Sequence, residues 1–176
     1  PWIDFISDAH KNGVKVIAAI TGNVRDGGNT QFYVDLFSDS QKMRAAAAAI
    51  AQFVDKYNLD GINMDIEEFY NTIPNHGAKY NELIKYINEE LENINPDFEL
   101  SVATYPGNEE GAWDFPGMLK YSDFLTIMMY NIGTTFTCCG HRGAGHRAPL
   151  QEPCTPTTHA SIPFMICANI TASRSS

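Results

Sequence analysis

The sequence lacks any long hydrophobic run, and it has few basic residues. No apolar stretch approaches the roughly 18 residues that a transmembrane helix needs, which excludes a membrane span. The 176 residues include 12 Lys and Arg against 21 Asp and Glu, a formal net charge of −9. Non-specific nucleic-acid binding requires clustered basic side chains, so no nucleic acid is expected as a partner. With 44% hydrophobic residues, the chain is too apolar for intrinsic disorder.

Cysteine is absent from the first 137 residues, and the composition changes at about the same place. Residues 1–133 hold nine Lys or Arg and twenty Asp or Glu, a net charge of −11, whereas residues 134–176 hold three and one, a net charge of +2. The sequence therefore predicts a first part over 1–133 and a divergent, irregular tail over 134–176. The tail's four cysteines match no standard zinc spacing, so no metal is expected; disulfides fit better, with the pairing left open.

Hydrophobic periodicity predicts alternating helices and strands in residues 1–133. The predicted order is a helix ending at Gly13, a strand over 15–20, a loop over 21–37, a helix from a capping box at Ser38 and Gln41 to about Tyr57, a strand over 61–67, a helix over 78–94, a strand over 98–105, a short helix over 115–120 and a strand over 124–130. Helix spacing begins at Trp2 and the first residue is Pro1, so we expect a fragment of a longer chain.

Strict alternation with short connections indicates an α/β fold with parallel strands joined by helical crossovers. The four predicted strands fit either half of an eight-stranded β/α barrel or a small doubly wound sheet. A complete barrel needs about 250 residues, more than this chain has. No glycine-rich dinucleotide fingerprint and no Walker loop follows a strand, which argues against a nucleotide cofactor.

The strand over 61–67 is the segment that carries chemistry. In the sequence DGINMDIE, three apolar residues alternate with Asn63, Asp65 and Glu67, which share the opposite face. Parallel strands are normally buried on both faces, so this strand is predicted to place an amide and two carboxylates in an interior. Neighbouring carboxylates push their pKa values apart, as general acid catalysis requires. The two acids also lie at the carboxyl end of the strand, where barrel active sites lie.

Two other interpretations of this strand were weighed. The alternation also suits an edge strand of an antiparallel sheet with one solvated face, which the helical crossovers on both sides disfavour. A calcium-binding loop is excluded because the acidic residues do not have the required spacing and no glycine stands at the sixth position.

The sequence around these residues resembles the conserved motifs of a known family. DGINMDIE is similar to the D-x-x-[DN]-x-D-x-E signature of glycoside hydrolase family 18, the chitinases and related endo-β-N-acetylglucosaminidases. Met128-Met129-Tyr130-Asn131 resembles the family's M-x-Y-[DN] motif, one helix and one strand later. The resemblance implies a fragment of a (β/α)8 TIM barrel, covering about strands 3 to 6. The family's S-x-G-G motif is Ala19-Ile20-Thr21-Gly22 here, which keeps only the last glycine.

The resemblance also implies roles. Glu67 would protonate the glycosidic oxygen, Asp65 would hold the acetamido N–H of the substrate, and Tyr130 would align the acetamido oxygen, which acts as the nucleophile. The expected partner is an N-acetylglucosamine oligosaccharide or polysaccharide, and the chemistry needs no metal or other cofactor. The remaining candidates are Asn63, Asn131, Met128 and Tyr105 for substrate binding, with core packing as the alternative for the last two, and Asp60 and Gly61 as structural members of the motif.

Three functions stay open on the sequence. The first is a secreted family 18 hydrolase acting on chitin or chitin-like glycans. The second is a non-catalytic carbohydrate-binding relative; such lectins usually lose the terminal Glu, which is retained here as Glu67. The third is an inactive truncated product, since half a barrel exposes sheet edges and apolar helix faces.

Overall fold

The computed structural model describes residues 2–23, 30–67, 73–105 and 113–128, in which helices and strands alternate. The elements are α1 Trp2–Lys11, β1 Ile17–Asn23, α2 Thr30–Phe37, α3 Ser40–Lys56, β2 Gly61–Glu67, α4 His76–Ile94, β3 Glu99–Thr104, α5 Phe115–Leu119 and β4 Phe124–Ile127. None of the helices in these ranges is long and apolar enough to cross a membrane.

The four strands form one parallel sheet in the order β1-β2-β3-β4. A doubly wound sheet reverses its strand order part of the way along the sheet, whereas a barrel adds each new strand beside the last. The sequential order therefore matches a barrel segment and confirms the predicted α/β fold. The core lies between the sheet and the helices, where Ile62 and Met64 of β2 meet Leu83, Ile84 and Ile87 of α4 in one buried cluster.

The region between the first strand and the third helix differs from the prediction. The first strand begins at Ile17 and continues to Asn23, and the segment predicted as a loop over 21–37 contains α2. Tyr33, Leu36 and Phe37 of α2 are buried at helix spacing, so packing against the core stabilises this short helix. The glycine- and asparagine-rich stretch before α2 is typical of a loop, and the prediction extended that loop over the helix.

The amino end of α3 has a different cap from the predicted one. Ser38 was predicted to open a capping box, but its hydroxyl instead donates to Asp35 O at 2.8 Å. Asp39 is the N-cap: its backbone is extended, and its carboxylate accepts a hydrogen bond from Gln41 N at 2.8 Å. An aspartate is as good a cap as a serine and also complements the helix dipole, so the cap moves one residue.

Apolar spacing predicts one buried face on each long helix, and the structure buries part of each set. The predicted sets are Met43, Ala47, Ile50, Phe53, Val54 and Tyr57 on α3, and Tyr80, Leu83, Ile84, Ile87, Leu91 and Ile94 on α4. In α3, Met43, Ala47 and Val54 are buried, but Phe53 and Tyr57 are 45% and 38% exposed. In α4, five predicted residues are buried, whereas Ile94 is 41% exposed. Phe53 directly precedes the fully buried Val54, whereas Tyr57 and Ile94 lie at the carboxyl ends of their helices. Their rings and side chains pack locally instead, as in the Phe53–Tyr57 contact at 4.8 Å between centroids.

Candidate active site

The two faces of β2 meet different environments. Ile62, Met64 and Ile66 face the helices and are at most 2% exposed. Asn63 and Asp65 lie on the other face and are half-buried. The described residues therefore bury these two side chains only in part, whereas the sequence predicted that they lie in an interior. One fully buried atom on this face is Oδ1 of Asp65.

Neighbouring strands set the surroundings of this polar face. In register, Asn63 lies between Ala19 of β1 and Ser101 of β3, and Asp65 lies beside Thr21 of β1. Asn63 Nδ2 donates a hydrogen bond to Ser101 Oγ at 2.7 Å. Residues paired in register share a face, so these groups form one polar strip across three strands.

Tyr80 of α4 lies behind the acidic residues of β2. The side chain is completely buried, and its hydroxyl donates to Met64 O at 3.3 Å. Burial raises the pKa of Tyr80, and the negative charge of Asp65 raises it further, so the phenol stays neutral. A neutral hydroxyl bonded to the β2 backbone holds this strand against α4 without adding a charge near Asp65.

Two predicted substrate-binding residues lie at the carboxyl edge of the sheet. Tyr105 directly follows β3, and Met128 directly follows β4, where its N–H donates to Thr104 O at 2.8 Å. Both side chains are half-buried. The Tyr105 ring contacts Trp113, with 6.3 Å between centroids, and Trp113 contacts Tyr80 at 5.9 Å. This aromatic row joins the carboxyl ends of β2 and β3, so Tyr105 both packs and borders the open face.

Other predicted site residues fall outside what the structure describes. Glu67 is the last residue of β2, and its backbone pairs in register with Asn23, but its side chain lies outside the described part. Tyr130 and Asn131 also lie outside the described residues. The roles predicted for these three residues therefore stay predictions.

The two motif residues predicted to be structural, Asp60 and Gly61, lie at the opposite, amino edge of the sheet. Asp60 Oδ2 accepts a hydrogen bond from Val16 N at 2.6 Å and lies 2.8 Å from His10 Nε2. Burial alone would raise the pKa of Asp60, but the bonds from Val16 and His10, with the charge of Lys15, hold it below its ordinary value. A Cβ on Gly61 would lie 2.1 Å from Glu99 O, so only glycine fits there.

Sequence reasoning missed Ser101 and the Tyr80 hydroxyl. Ser101 is the single polar residue in the sequence Leu100-Ser101-Val102-Ala103, which otherwise has the continuous apolar pattern of a buried parallel strand. That interruption, one strand away from Asn63, is the signal that could have identified it. Tyr80 was predicted on an apolar helix face, and nothing in the helical spacing distinguishes a hydroxyl that reaches the sheet. Among the described residues, no group of three or more His, Cys, Asp or Glu could hold a metal ion.

The fold and the acidic motif on β2 together define a chitinase-like glycoside hydrolase domain, and comparison with known proteins agrees. Residues 3–175 match the family described as glycosyl hydrolases family 18, and the chain belongs to this family. Among curated proteins, the chain is similar to "Probable chitinase 10" of Drosophila melanogaster, with 24% identity over 162 residues. That alignment covers 85% of this chain and 7% of the fly protein.

Solved structures confirm the fold as part of a family 18 barrel. A Rhizomucor miehei chitinase matches with a TM-score of 0.59 and 22% identity, over 76% of this chain and 44% of that one. The chitinase domain of the spore coat protein CotE from Clostridium difficile matches with a TM-score of 0.63 and 20% identity, over 86% and 44%. The Ostrinia furnacalis group IV chitinase, solved with allosamidin, gives 0.62 and 21%, over 74% and 36%. The chain thus spans less than half the length of each of these relatives.

Proposed function

We propose that this chain is the catalytic part of a secreted family 18 hydrolase that cleaves β-1,4 linkages in N-acetylglucosamine polymers such as chitin. The observation that carries the proposal is the strand β2, which places Asp65 and Glu67 two residues apart at the carboxyl edge of a parallel sheet. Side chains two residues apart on a strand share a face, so both acids can reach one substrate. Family membership supports a carbohydrate substrate.

The mechanism proposed for this site is substrate-assisted and retaining. Glu67 protonates the glycosidic oxygen as the bond to the leaving sugar breaks, and the acetamido oxygen of the remaining sugar closes on the anomeric carbon. Asp65 accepts a hydrogen bond from the acetamido N–H and stabilises the positive charge of the cyclic intermediate. Tyr130 aligns the acetamido oxygen. Water then attacks the anomeric carbon from the side that the leaving sugar occupied, which opens the cyclic intermediate, and returns a proton to Glu67.

The surroundings of Asp65 support this role. Oδ1 of Asp65 is fully buried, the Tyr80 phenol behind the strand is neutral, and Asn63 on the same face is an uncharged amide. Fixed dipoles in such a site stabilise developing charge more strongly than water does. Tyr105 and Met128 border the same open edge, where sugar rings would be held by stacking and van der Waals contact.

The decisive experiment measures hydrolysis of a fluorogenic chitin oligosaccharide by wild-type protein and by the Glu67→Gln variant. Loss of the general acid is expected to lower kcat/KM by at least about a hundredfold. Glu99→Gln is the matched control, because Glu99 begins β3 at the amino edge and pairs with Lys15. Near-normal turnover by Glu67→Gln would refute the assignment.

Two further measurements separate the alternatives. NMR of the first product should show the β-anomer, since the mechanism retains configuration. An oligosaccharide of glucose, which lacks the acetamido group, should not be cleaved. Wild-type protein that binds chitin oligosaccharides without cleaving them would instead establish a lectin-like relative, and protein that neither binds nor cleaves would establish an inactive fragment.

A further inference from the structure

Ser101 is a buried serine on the same sheet face as the acidic residues of β2. It lies in the middle of β3, is 2% exposed, and pairs in register with Asn63. Asn63 Nδ2 donates to Ser101 Oγ at 2.7 Å, a short distance for a hydrogen bond between two uncharged groups. A buried hydroxyl without a partner is costly, so the bond is what allows a serine at this position.

The strand on the other side of Asn63 offers no such partner. There the register places Ala19 of β1, which is exposed and has no polar side-chain atom. The two residues that flank Asn63 in register are therefore an alanine and a serine. Of these two, Ser101 is the one that can accept a hydrogen bond from the Asn63 amide across strands about 4.8 Å apart.

The hydrogen bond to Ser101 also orients the side-chain amide dipole of Asn63 relative to Asp65. An asparagine amide has two chemically different ends, and rotation by 180° exchanges a donor for an acceptor. In the structure Nδ2 is directed to Ser101 Oγ, which turns Oδ1 away from Ser101. Asp65 lies two residues further along the same face, about 7 Å away, so the dipole of the held amide is part of its surroundings.

We propose that Ser101 is a positioning residue: its hydroxyl locks the side-chain amide of Asn63 and thereby preorganises the polar face on which Asp65 acts. The inference rests on the proposed hydrolase function for its effect on turnover. A preorganised dipole contributes in the transition state more than in the ground state, so the effect falls on kcat rather than on KM.

The test compares wild-type protein with Ser101→Ala and with the double variant Ala19→Ser, Ser101→Ala. In Ser101→Ala, we expect kcat on a chitin oligosaccharide to fall roughly tenfold with KM changed less than about twofold. The side-chain NH2 signals of Asn63 in a 1H–15N NMR spectrum should move to positions typical of an amide without this acceptor. The double variant returns a hydroxyl beside Asn63 from the opposite strand, and both readouts should recover.

Ser122→Ala is the matched control. Ser122 is a buried serine, 4% exposed, whose Oγ donates to Met118 O at 3.0 Å just before β4, at the amino edge of the sheet. This variant also removes a buried hydroxyl, but it should leave kcat and the Asn63 signals as in wild type. Should Ser101→Ala not fold, Ser101→Cys keeps the volume and replaces a strong acceptor by a weak one, so it serves the same comparison.

Unchanged Asn63 signals in Ser101→Ala would overturn the inference, and so would a loss of kcat that Ala19→Ser does not restore in a folded double variant. Wild-type protein without hydrolytic activity would refute the proposed function instead. In that case the NMR signals from the same samples would still decide whether Ser101 holds Asn63.

Discussion

Asp60 and Asp65 belong to one eight-residue motif, yet the structure gives them opposite surroundings. Asp60 lies at the amino edge of the sheet, where Val16 N and His10 Nε2 both lie within 2.8 Å of one carboxylate oxygen. Asp65 lies toward the carboxyl edge on the half-buried face, beside Thr21 and in front of the Tyr80 phenol. Five residues along one strand, about 16 Å, separate them.

The same pair of aspartate hydrogen bonds occurs twice at the amino edge of the sheet. Asp60 N donates to Val16 O while the Asp60 carboxylate accepts from Val16 N. Two strands later, Asp123 N donates to Leu100 O and its carboxylate accepts from Leu100 N, both at 2.8 Å. Each aspartate closes a ring of two hydrogen bonds with the preceding strand. The comparison teaches that aspartate ties strands together at the amino edge, because backbone N–H groups of a neighbouring segment face its carboxylate there.

The sharpest way to break this comparison is to make the same substitution at both positions. Asp65→Asn keeps the shape of the side chain but removes its charge, and we expect kcat/KM on a chitin oligosaccharide to fall by about a hundredfold or more. Asp60→Asn should leave kcat/KM per folded molecule within about twofold, because Asp60 lies at the far edge. Steady-state kinetics, with the folded fraction determined by circular dichroism, measures both.

Equal losses of activity in the two variants would show that Asp60 and Asp65 both affect turnover, so the two edges would not have different roles. A large loss of stability in Asp65→Asn, matched by none in Asp60→Asn, would reverse the assignment. Asp8→Asn is a suitable reference for both, because Asp8 is an exposed helix residue whose carboxylate pairs with the exposed Lys11.

How far the sequence predicted this fold depends on the length of each pattern. The helix over 78–94 and the strand over 61–67 were predicted to within about two residues, because their periodicity is long or strictly alternating. The short helix α2 was missed because eight residues give barely two turns of signal. Tertiary packing of Tyr33 and Phe37, not local propensity, stabilises it.

The candidate site was predictable where chemistry lies in one strand and not where it crosses strands. Alternation alone placed Asn63 and Asp65 together. The bond from Asn63 to Ser101 depends on the register between β2 and β3, which a single sequence does not contain. Likewise, the pairing of His10 with Asp60 joins residues 50 positions apart, and only the folded chain brings them into contact.

Gly61→Ala tests how tightly the amino edge is built. The new Cβ would lie 2.1 Å from Glu99 O and 2.9 Å from Glu99 N, so the backbones of β2 and β3 would have to separate. We expect a loss of about 3 kcal/mol in the free energy of unfolding, measured by urea denaturation.

Gly13→Ala provides the control for Gly61→Ala. Gly13 has φ of +70° but no atom within 4 Å of the added Cβ, so it reports backbone strain without a clash. It should cost only about 1 kcal/mol. A smaller loss of unfolding free energy for Gly61→Ala than for Gly13→Ala would mean that β2 and β3 can separate at the amino edge at little cost. The close approach of Gly61 to Glu99 would then not require glycine.

The dependence of stability on the ionisation of Asp60 is expected to be smaller than the effect of Gly61→Ala. The folded state holds the pKa of Asp60 below its ordinary value, against the opposing effect of burial, so folding favours the charged form. Its contribution is then fully present above the unfolded pKa of about 3.9 and is lost as the pH falls through the lower, folded value. Asp60→Asn should lower the free energy of unfolding by about 1–2 kcal/mol at pH 7.

The sign of this effect gives the discriminating measurement. Below the folded pKa, wild-type Asp60 is protonated and resembles asparagine in charge, so the difference between the two proteins in urea denaturation should shrink toward zero as the pH falls below about 4. A difference that stays constant across this range would mean that the hydrogen bonds to Val16 and His10 stabilise the fold by geometry alone. The amino edge would then differ from the carboxyl edge in packing, and charge would have no part in the contrast.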